Sequence, residues 1–369
     1  MKLRVLHILS SLDGGGVETM LKRLIVNSRG RFDHGILIIN KKGRHWDDLA
    51  SLDIWMQDVF RRGKFDLFLP AKIARKCTLF KPDIIQGYAL VGNMWARIGN
   101  LFNNYPLITY ERGTAAVHGK LLNALDRLLS FREKIRLCNS ETSEILTHER
   151  VKINNTKVIR NFIDIPRTDI SELKARIPTF VWTGRLEWKR GAHLLPALAA
   201  CLKELLGDYK LIVLGDGSLR CTIESEIKAA EVASYVNFLG NVDEPWEYYS
   251  EAHAGIFLNL TESFGNGAAE MLALGLPIAA PRCDNYIELV RDGSNGILYA
   301  KTTESSFRFW NVINSRVVPG GDPDVDAAAA ALKRLFEDNI SFQKAAKDLK
   351  PDYFRLSPLR YSAELETIY

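Results

Sequence analysis

The sequence predicts an α/β protein made of two doubly wound lobes facing a cleft. Three observations predict it. Short β-branched or apolar runs alternate with longer helix-period segments along most of the chain, the rhythm of right-handed βαβ units around a parallel sheet covered on both faces. That rhythm lapses across the polar, proline-containing stretch Asn161–Pro178 and then restarts, which reads as a domain linker. The length, 369 residues, leaves room for two cores at roughly 100–200 residues per domain. The expected division is a first lobe over residues 1–165, a second over 166–351, and a tail over 352–369 without strand signal.

In the first half the strand-like runs are Leu3–Leu9, Gly35–Ile39, Asp83–Gln86, Leu107–Tyr110, Ile135–Asn139 and Lys157–Ile159. Helix-period segments such as Val17–Asn27, Leu67–Phe80 and Lys120–Phe131 lie between them. The second half is more regular, with strands at Phe180–Gly184, Lys210–Gly215, Val236–Gly240, Gly255–Leu258, Pro277–Ala280 and Gly296–Tyr299. Its helices begin near Gly191, Leu219, Glu244, Gly267 and Tyr286. A polar insertion, Thr302–Asp326, precedes a last helix at Ala327–Phe336.

Composition narrows the class. A hydrophobic fraction of 47% with 25% charged residues excludes a disordered chain and a disulfide scaffold. A net charge of +5 is too small for a nucleic-acid binder of this size. Cys77, Cys138, Cys201, Cys221 and Cys283 are scattered and never form a CxxC pair, so they read as buried, reduced thiols of a cytoplasmic protein. The N-terminal apolar run is short, contains His7 and leads into glycines, which marks a first strand rather than a signal peptide.

In open sheets of this kind ligands bind outside the carboxyl ends of the strands, so residues just after each strand are the ones to read. ESFGNGAAEMLALGLP, Glu262 to Pro277, carries the sharpest pattern. Phe264, Gly265, Asn266 and Gly267 open a helix whose first N–H groups and dipole suit a phosphate, and the glycines let backbone approach it. Glu262 and Glu270 are acceptor-only carboxylates, suited to sugar and ribose hydroxyls; the plain alternative is a pair of glutamates compensating the helix dipole. TGRLEWKRG places Arg185, Lys189 and Arg190 after a strand, where guanidinium groups fork onto a diphosphate; a solvated basic loop is the alternative. Glycine turns at Gly14-Gly15-Gly16 and Gly215–Gly217 follow two further strands; the first does not match GxGxxG and lacks the acidic residue an NAD site needs. No aspartate pair sits at a strand end as a metal site would want, so no metal is expected, and no cofactor is expected either.

GGGVE, IRNFID, GRLEWKRG, LGDGSL, VNFLGNV and ESFGNGAAE, in this order, resemble a retaining glycosyltransferase of family 4 with the GT-B fold of two Rossmann-like lobes. The resemblance runs from about Leu3 to Tyr299 and rests on the combination, each piece alone being unspecific. It implies a second lobe that binds a nucleotide-sugar donor, a first lobe that binds the acceptor, and a tail crossing back onto the first lobe. It implies that Arg185 and Arg190 hold the donor diphosphate, that Glu262 reads the donor sugar and that Glu270 holds the ribose. Lys189, Gly215, Val242 and the stretch Phe264, Gly265, Asn266 and Gly267 fall on the donor side, with Gly15 and Gly16 bordering the cleft from the other lobe. Arg112 and His118 fall on the acceptor side; Arg112 stands where the family commonly has a histidine, and Arg190 where it usually has lysine, with Lys189 one place earlier. The implied activity is metal-independent transfer, with retention, from a nucleotide sugar to a glycan or lipid-linked acceptor of the cell envelope. UDP-sugars are expected over GDP-mannose, on family habit. A sugar-nucleotide epimerase of the same fold and a catalytically silent binding homologue are the alternatives. Retention can proceed through a carboxylate nucleophile or by same-face attack guided by the departing phosphate. Finally, His118–Arg136 reads as an amphipathic helix, Leu121, Leu122, Leu125, Leu128 and Leu129 against basic residues. Its leucine face is either core or a support on an anionic membrane surface.

Overall fold

The computed structural model describes residues 2–13, 16–43, 45–63, 66–112, 120–153, 155–164, 176–259, 261–283, 285–300, 323–349 and 358–369. The chain divides into two compact units, Met1–Asp164 with Leu356–Tyr369, and Ile165–Arg355.

The first unit is built on β1 (Leu3–Ser11), β2 (Phe32–Lys41), β3 (Trp55–Asp58), β4 (Ile84–Tyr88), β5 (Leu107–Glu111), β6 (Ile135–Cys138) and β7 (Thr156–Val158). They form one seven-stranded sheet in the order β3-β2-β1-β4-β5-β6-β7. Every pairing is parallel. The period-2 pattern of parallel strands explains its two cores. Leu6 and Ile8 of β1 and Leu37 and Ile39 of β2 pack with α3 (Leu69–Phe80) and α4 (Ala89–Asn100). Leu9 with Ile36 and Ile38 pack on the opposite face with α1 (Gly16–Ser28). The short helices α2 (Trp46–Ala50) and α6 (Glu141–Val151) complete the crossovers. β3, absent from the sequence reading, is an edge strand whose four residues are only half-buried; its apolar stretch is only Ile54–Met56, too short to announce a strand before Gln57 and Asp58.

A chain of hydrogen bonds crosses this unit beneath β1 and β2. Ser28 Oγ donates to the Leu24 carbonyl at 2.6 Å, so it accepts from His34 Nε2 at 2.9 Å. His34 Nδ1 then accepts from His7 Nε2 at 3.0 Å, and His7 Nδ1 from the Tyr88 hydroxyl at 3.0 Å. Both imidazoles are thereby neutral with their tautomers set, and burial pushes the His34 pKa down to about 4.

The tail, read as lacking strand signal, forms the helix Pro358–Glu366 in this unit. Tyr361 and Leu365 are fully buried in its core, and the Tyr361 hydroxyl donates to that of Tyr110 at 3.2 Å.

The helix α5 (Lys120–Leu129) reverses one of the two readings of its leucine face. Leu122, Leu125 and Leu128 are exposed, and Asp126 is the residue turned inward. The reason is electrostatic: Arg97, Arg136 and Arg150 converge on the Asp126 carboxylate from α4, β6 and α6. Leucines follow the helix period as readily outward as inward; a buried cluster of arginines decides which. The Leu121 side chain lies outside the described residues.

The second unit carries β8 (Thr179–Thr183), β9 (Lys210–Leu214), β10 (Val236–Gly240), β11 (Ala254–Ile256), β12 (Ile278–Pro281) and β13 (Gly296–Tyr299). They pair in parallel in the order β10-β9-β8-β11-β12-β13. Phe180, Trp182, Leu211, Val213 and Ile256 pack against α7 (Leu195–Leu206), α8 (Arg220–Ala229) and the helix Val325–Glu337. That last helix begins two residues before the expected Ala327, because the Asp324 side chain caps it by accepting from the Ala327 N–H at 3.0 Å. Residues 302–322 of the polar insertion lie outside the described residues. The remaining helices are α9 (Trp246–Glu251), α10 (Asn266–Leu274), α11 (Tyr286–Leu289) and Asn339–Asp348. Of the five thiols, Cys77, Cys138 and Cys283 are buried, but Cys221 is exposed and Cys201 partly so, a correction to the expectation that all are buried. No helix among the described residues is long and apolar enough to cross a membrane.

Candidate active site

In the second unit the strand order runs outward in both directions from the neighbours β8 and β11. The crossovers leaving those two strands depart to opposite sides, so the crevice of this sheet opens at their carboxyl ends. The segment after β8 contains Arg185, Lys189 and Arg190, and the segment after β11 contains Glu262 and the Phe264–Gly267 turn. Topology therefore brings together two clusters that stand 72 residues apart in sequence.

Glycines make that meeting close. Gly191 has φ +69°, and a Cβ there would lie 1.9 Å from the Leu258 carbonyl oxygen, so only glycine lets the β8 segment turn against β11. A Cβ on Gly215 would likewise lie 1.9 Å from the Gly184 carbonyl oxygen. Gly215 therefore holds the loop after β9 onto the β8 segment, and its N–H donates to the Gly240 carbonyl at 2.6 Å. Val242 is half-buried two residues beyond that bridge.

At the centre, Arg190 Nη1 donates to Glu262 Oε2. The same oxygen accepts from Asn259 Nδ2 at 2.9 Å, and Glu262 Oε1 accepts from the Ser263 N–H at 3.0 Å. The Glu262 side chain is 12% exposed and that of Arg190 32%. The carboxylate beside it holds the Arg190 guanidinium above its ordinary range against the opposing effect of burial. Arg185 and Lys189 lie further out and half-exposed, both turned to Glu187 at 3.2 and 3.6 Å. Partial burial, with Arg185 nearby, lowers the Lys189 pKa. Of the two neighbouring cations, Arg190 is the one in contact with Glu262.

Gly265 sits at φ +80° and caps α10 without a side chain, so the cap residue itself offers no side-chain oxygen to the first-turn N–H groups of that helix. Asn285 Nδ2 donates to the Phe264 carbonyl and ties the turn to α11. A Cβ on Gly267 would meet Thr183 Cγ2 at 2.7 Å, so this glycine seats α10 against the end of β8. Neither glutamate belongs to the first turn of α10: Glu262 precedes Asn266 and Glu270, half-buried, lies one turn further in. Simple dipole compensation does not account for that placement.

In the first unit Arg112 follows β5 and is 8% exposed. Its guanidinium lies 4.0 Å from the Tyr110 ring and 5.8 Å from the Tyr88 ring, touches Met20 Sδ and hydrogen-bonds Tyr361 of the tail helix. Gly16 is the exposed first residue of α1. Gly15 and His118 lie outside the described residues.

The sequence reading missed Glu187, Asn259 and Tyr286. The first two flank residues that were singled out and carry no signal of their own. Tyr286 is apolar in pattern, and only its fully buried position beside Glu262 and Arg190 makes it notable.

Residues 177–308 match the family model described as Glycosyl transferases group 1. The chain is 27% identical over 258 residues to N-acetyl-alpha-D-glucosaminyl L-malate synthase of Bacillus anthracis, covering 65% of this chain and 67% of that one. It is 25% identical over 308 residues to the lipopolysaccharide core biosynthesis glycosyltransferase LpsE of Rhizobium meliloti, covering 80% and 84%. Among solved structures, Anabaena Alr3699/HepE in complex with UDP-glucose superimposes with a TM-score of 0.78 at 18% identity, over 99% of this chain and 98% of that one.

Proposed function

We propose that this glycosyltransferase of GT-B fold, with its glycosyl transferases group 1 domain at residues 177–308, moves a sugar from a UDP-sugar to a glycan or lipid-linked acceptor, with retention and without a metal. The observation that carries the reading is the Arg190–Glu262 pair at the β8/β11 crevice, facing a helix start capped by glycine. Arg190, with Arg185 and Lys189 further out, takes the diphosphate; the N-terminus of α10 adds its dipole as negative charge develops on the leaving group. Glu262 accepts from a donor-sugar hydroxyl and Glu270 from the ribose. The UDP-glucose-bound relative named above supports the choice of base. The acceptor falls to the first unit, where Arg112 is a buried cation at the end of a central strand.

The test is nucleotide release from a panel of nucleotide sugars with EDTA present. Acceptor-stimulated release of UDP is the expected result. Dependence on added divalent metal contradicts the mechanism, release of sugar epimers without an acceptor indicates the epimerase reading, and no turnover of any donor indicates a binding homologue.

The acceptor unit also has a surface suited to lipid. Leu128 and Phe131 are 66% and 70% exposed. Arg132 donates to the Asn100 carbonyl and to Asn104 at 3.3 and 2.9 Å, which brings exposed Leu101 and Phe102 alongside. With Arg127 on the same helix, this is an apolar patch edged with positive charge, as anionic bilayers favour. Flotation with anionic vesicles at low salt is expected to carry the protein, and Leu128→Asp with Phe131→Asp to abolish it; no association of the unaltered protein ends the idea.

A further inference from the structure

Tyr286 opens α11 next to the Arg190–Glu262 pair. It is fully buried, and its hydroxyl has no hydrogen-bond partner among the described residues. Buried hydroxyls are nearly always satisfied, and an unmet one disfavours the fold by its desolvation penalty. A phenylalanine would make the same tilted contact with Phe257, whose ring centroid is 5.5 Å away. The hydroxyl therefore adds nothing to the unliganded structure except cost.

Its surroundings indicate when it is used. A Cβ built on Gly265 would lie 3.4 Å from Glu262 Cγ, 3.4 Å from Leu289 Cδ1 and 3.5 Å from Tyr286 Cε1, so the Glu262 side chain and the Tyr286 ring border the same small space over the glycine. The hydroxyl is within electrostatic range of both Glu262 and Arg190. Without ligand, Glu262 has three donors: Arg190, Asn259 and the Ser263 N–H. Resting on the reading that Arg190 takes the donor diphosphate, ligand binding withdraws the charged donor from a carboxylate that is largely buried.

We propose that Tyr286 is a positioning residue that donates its O–H to Glu262 when Arg190 turns to the diphosphate. The carboxylate then keeps its charge and its aim at the donor sugar, and the unmet hydroxyl of the resting state becomes a charge-assisted hydrogen bond of the loaded one. The exchange couples diphosphate binding to the readiness of Glu262.

The test uses inorganic pyrophosphate as probe, followed by calorimetry. Tyr286→Phe is expected to melt at least as high as the unaltered protein and to bind pyrophosphate about tenfold more weakly, the effect of one hydrogen bond to a charged group. In a Glu262→Ala background the same change is expected to have no effect, the cycle isolating the coupling between the two side chains. The proposal is overturned if Tyr286→Phe binds pyrophosphate as the unaltered protein does, if it melts lower, or if its loss persists without Glu262. Arg190→Ala separates the premises. If it too binds normally, the donor reading fails and this proposal with it; if it binds weakly while Tyr286→Phe does not, only the role of Tyr286 falls.

Discussion

Glu262→Ala is expected to abolish sugar transfer while nucleotide still binds. The carboxylate has three donors in the resting protein, Arg190, Asn259 Nδ2 and the Ser263 N–H, and such bonds fix its orientation and stabilise its charge. Losing it removes the group that would read the donor sugar and orient the anomeric carbon, an effect on the order of a hundredfold or more in turnover. Nucleotide affinity is expected to hold or rise, because the substitution frees Arg190 from its carboxylate before the diphosphate arrives. Nucleotide release in steady state and calorimetry with UDP measure the two halves separately, and full activity in the variant sinks the assignment. The donors around Glu262 bear on how the proposed retention would proceed. A carboxylate that keeps the Asn259 amide and the Ser263 N–H, with the Tyr286 hydroxyl replacing Arg190 once the diphosphate is bound as proposed above, is a weakened nucleophile, which favours same-face attack guided by the departing phosphate over double displacement. Glu262→Gln separates them, since an amide still accepts from a sugar hydroxyl but cannot form a glycosyl ester. Residual transfer well above that of the alanine variant is the expected outcome.

The two-lobed parallel architecture was legible because buried parallel strands read as apolar runs, Leu211–Leu214 without a break and Val5–Leu9 interrupted by His7 alone, and because the polar stretch after Asn161 breaks the rhythm. β3 was not legible, since an edge strand with half-buried residues needs no such run. Residue types at strand ends pointed to a phosphate and sugar site, yet nothing local to Arg190 or Glu262 says that they touch. That contact follows from β8 and β11 being neighbours, a property of strand order. The leucine face of α5 was left with two readings for a related reason. Helical period reports that residues share a side, and the side that is buried depends on partners far away in sequence, here Arg97, Arg136 and Arg150.

Those partners set the largest expected effect on stability. Asp126→Ala is expected to destabilise the protein by about 3–5 kcal/mol, the usual cost of removing one member of a buried ion cluster and leaving the others unbalanced. Arg97 and Arg136 reach Asp126 Oδ1 at 2.6 and 2.9 Å, and Arg150 reaches Oδ2. Glu133 receives Arg97 and Arg136 at 2.8 and 2.9 Å, and Glu111 receives Arg150 at 2.8 Å. Three cations thus meet three carboxylates, all nearly excluded from water, and deleting Asp126 leaves an uncompensated positive charge. Burial alone would raise the Asp126 pKa, but the three arginines overrule it and hold the carboxyl at about 2. Because the folded value lies below the unfolded one, this stabilisation is present above pH 4 and is lost as pH falls towards 2, about 2 kcal/mol in all. His34 contributes earlier: its folded pKa near 4 lies below that of a free histidine, so the unfolded chain binds the extra proton and stability falls as pH drops from about 6.5 to 4. Chemical denaturation across pH is expected to show both losses in the unaltered protein, and Asp126→Ala to keep the histidine step while lacking the lower one. A variant with unchanged midpoint at neutral pH, or with the low-pH loss intact, would show that the arginines hold α5 without Asp126.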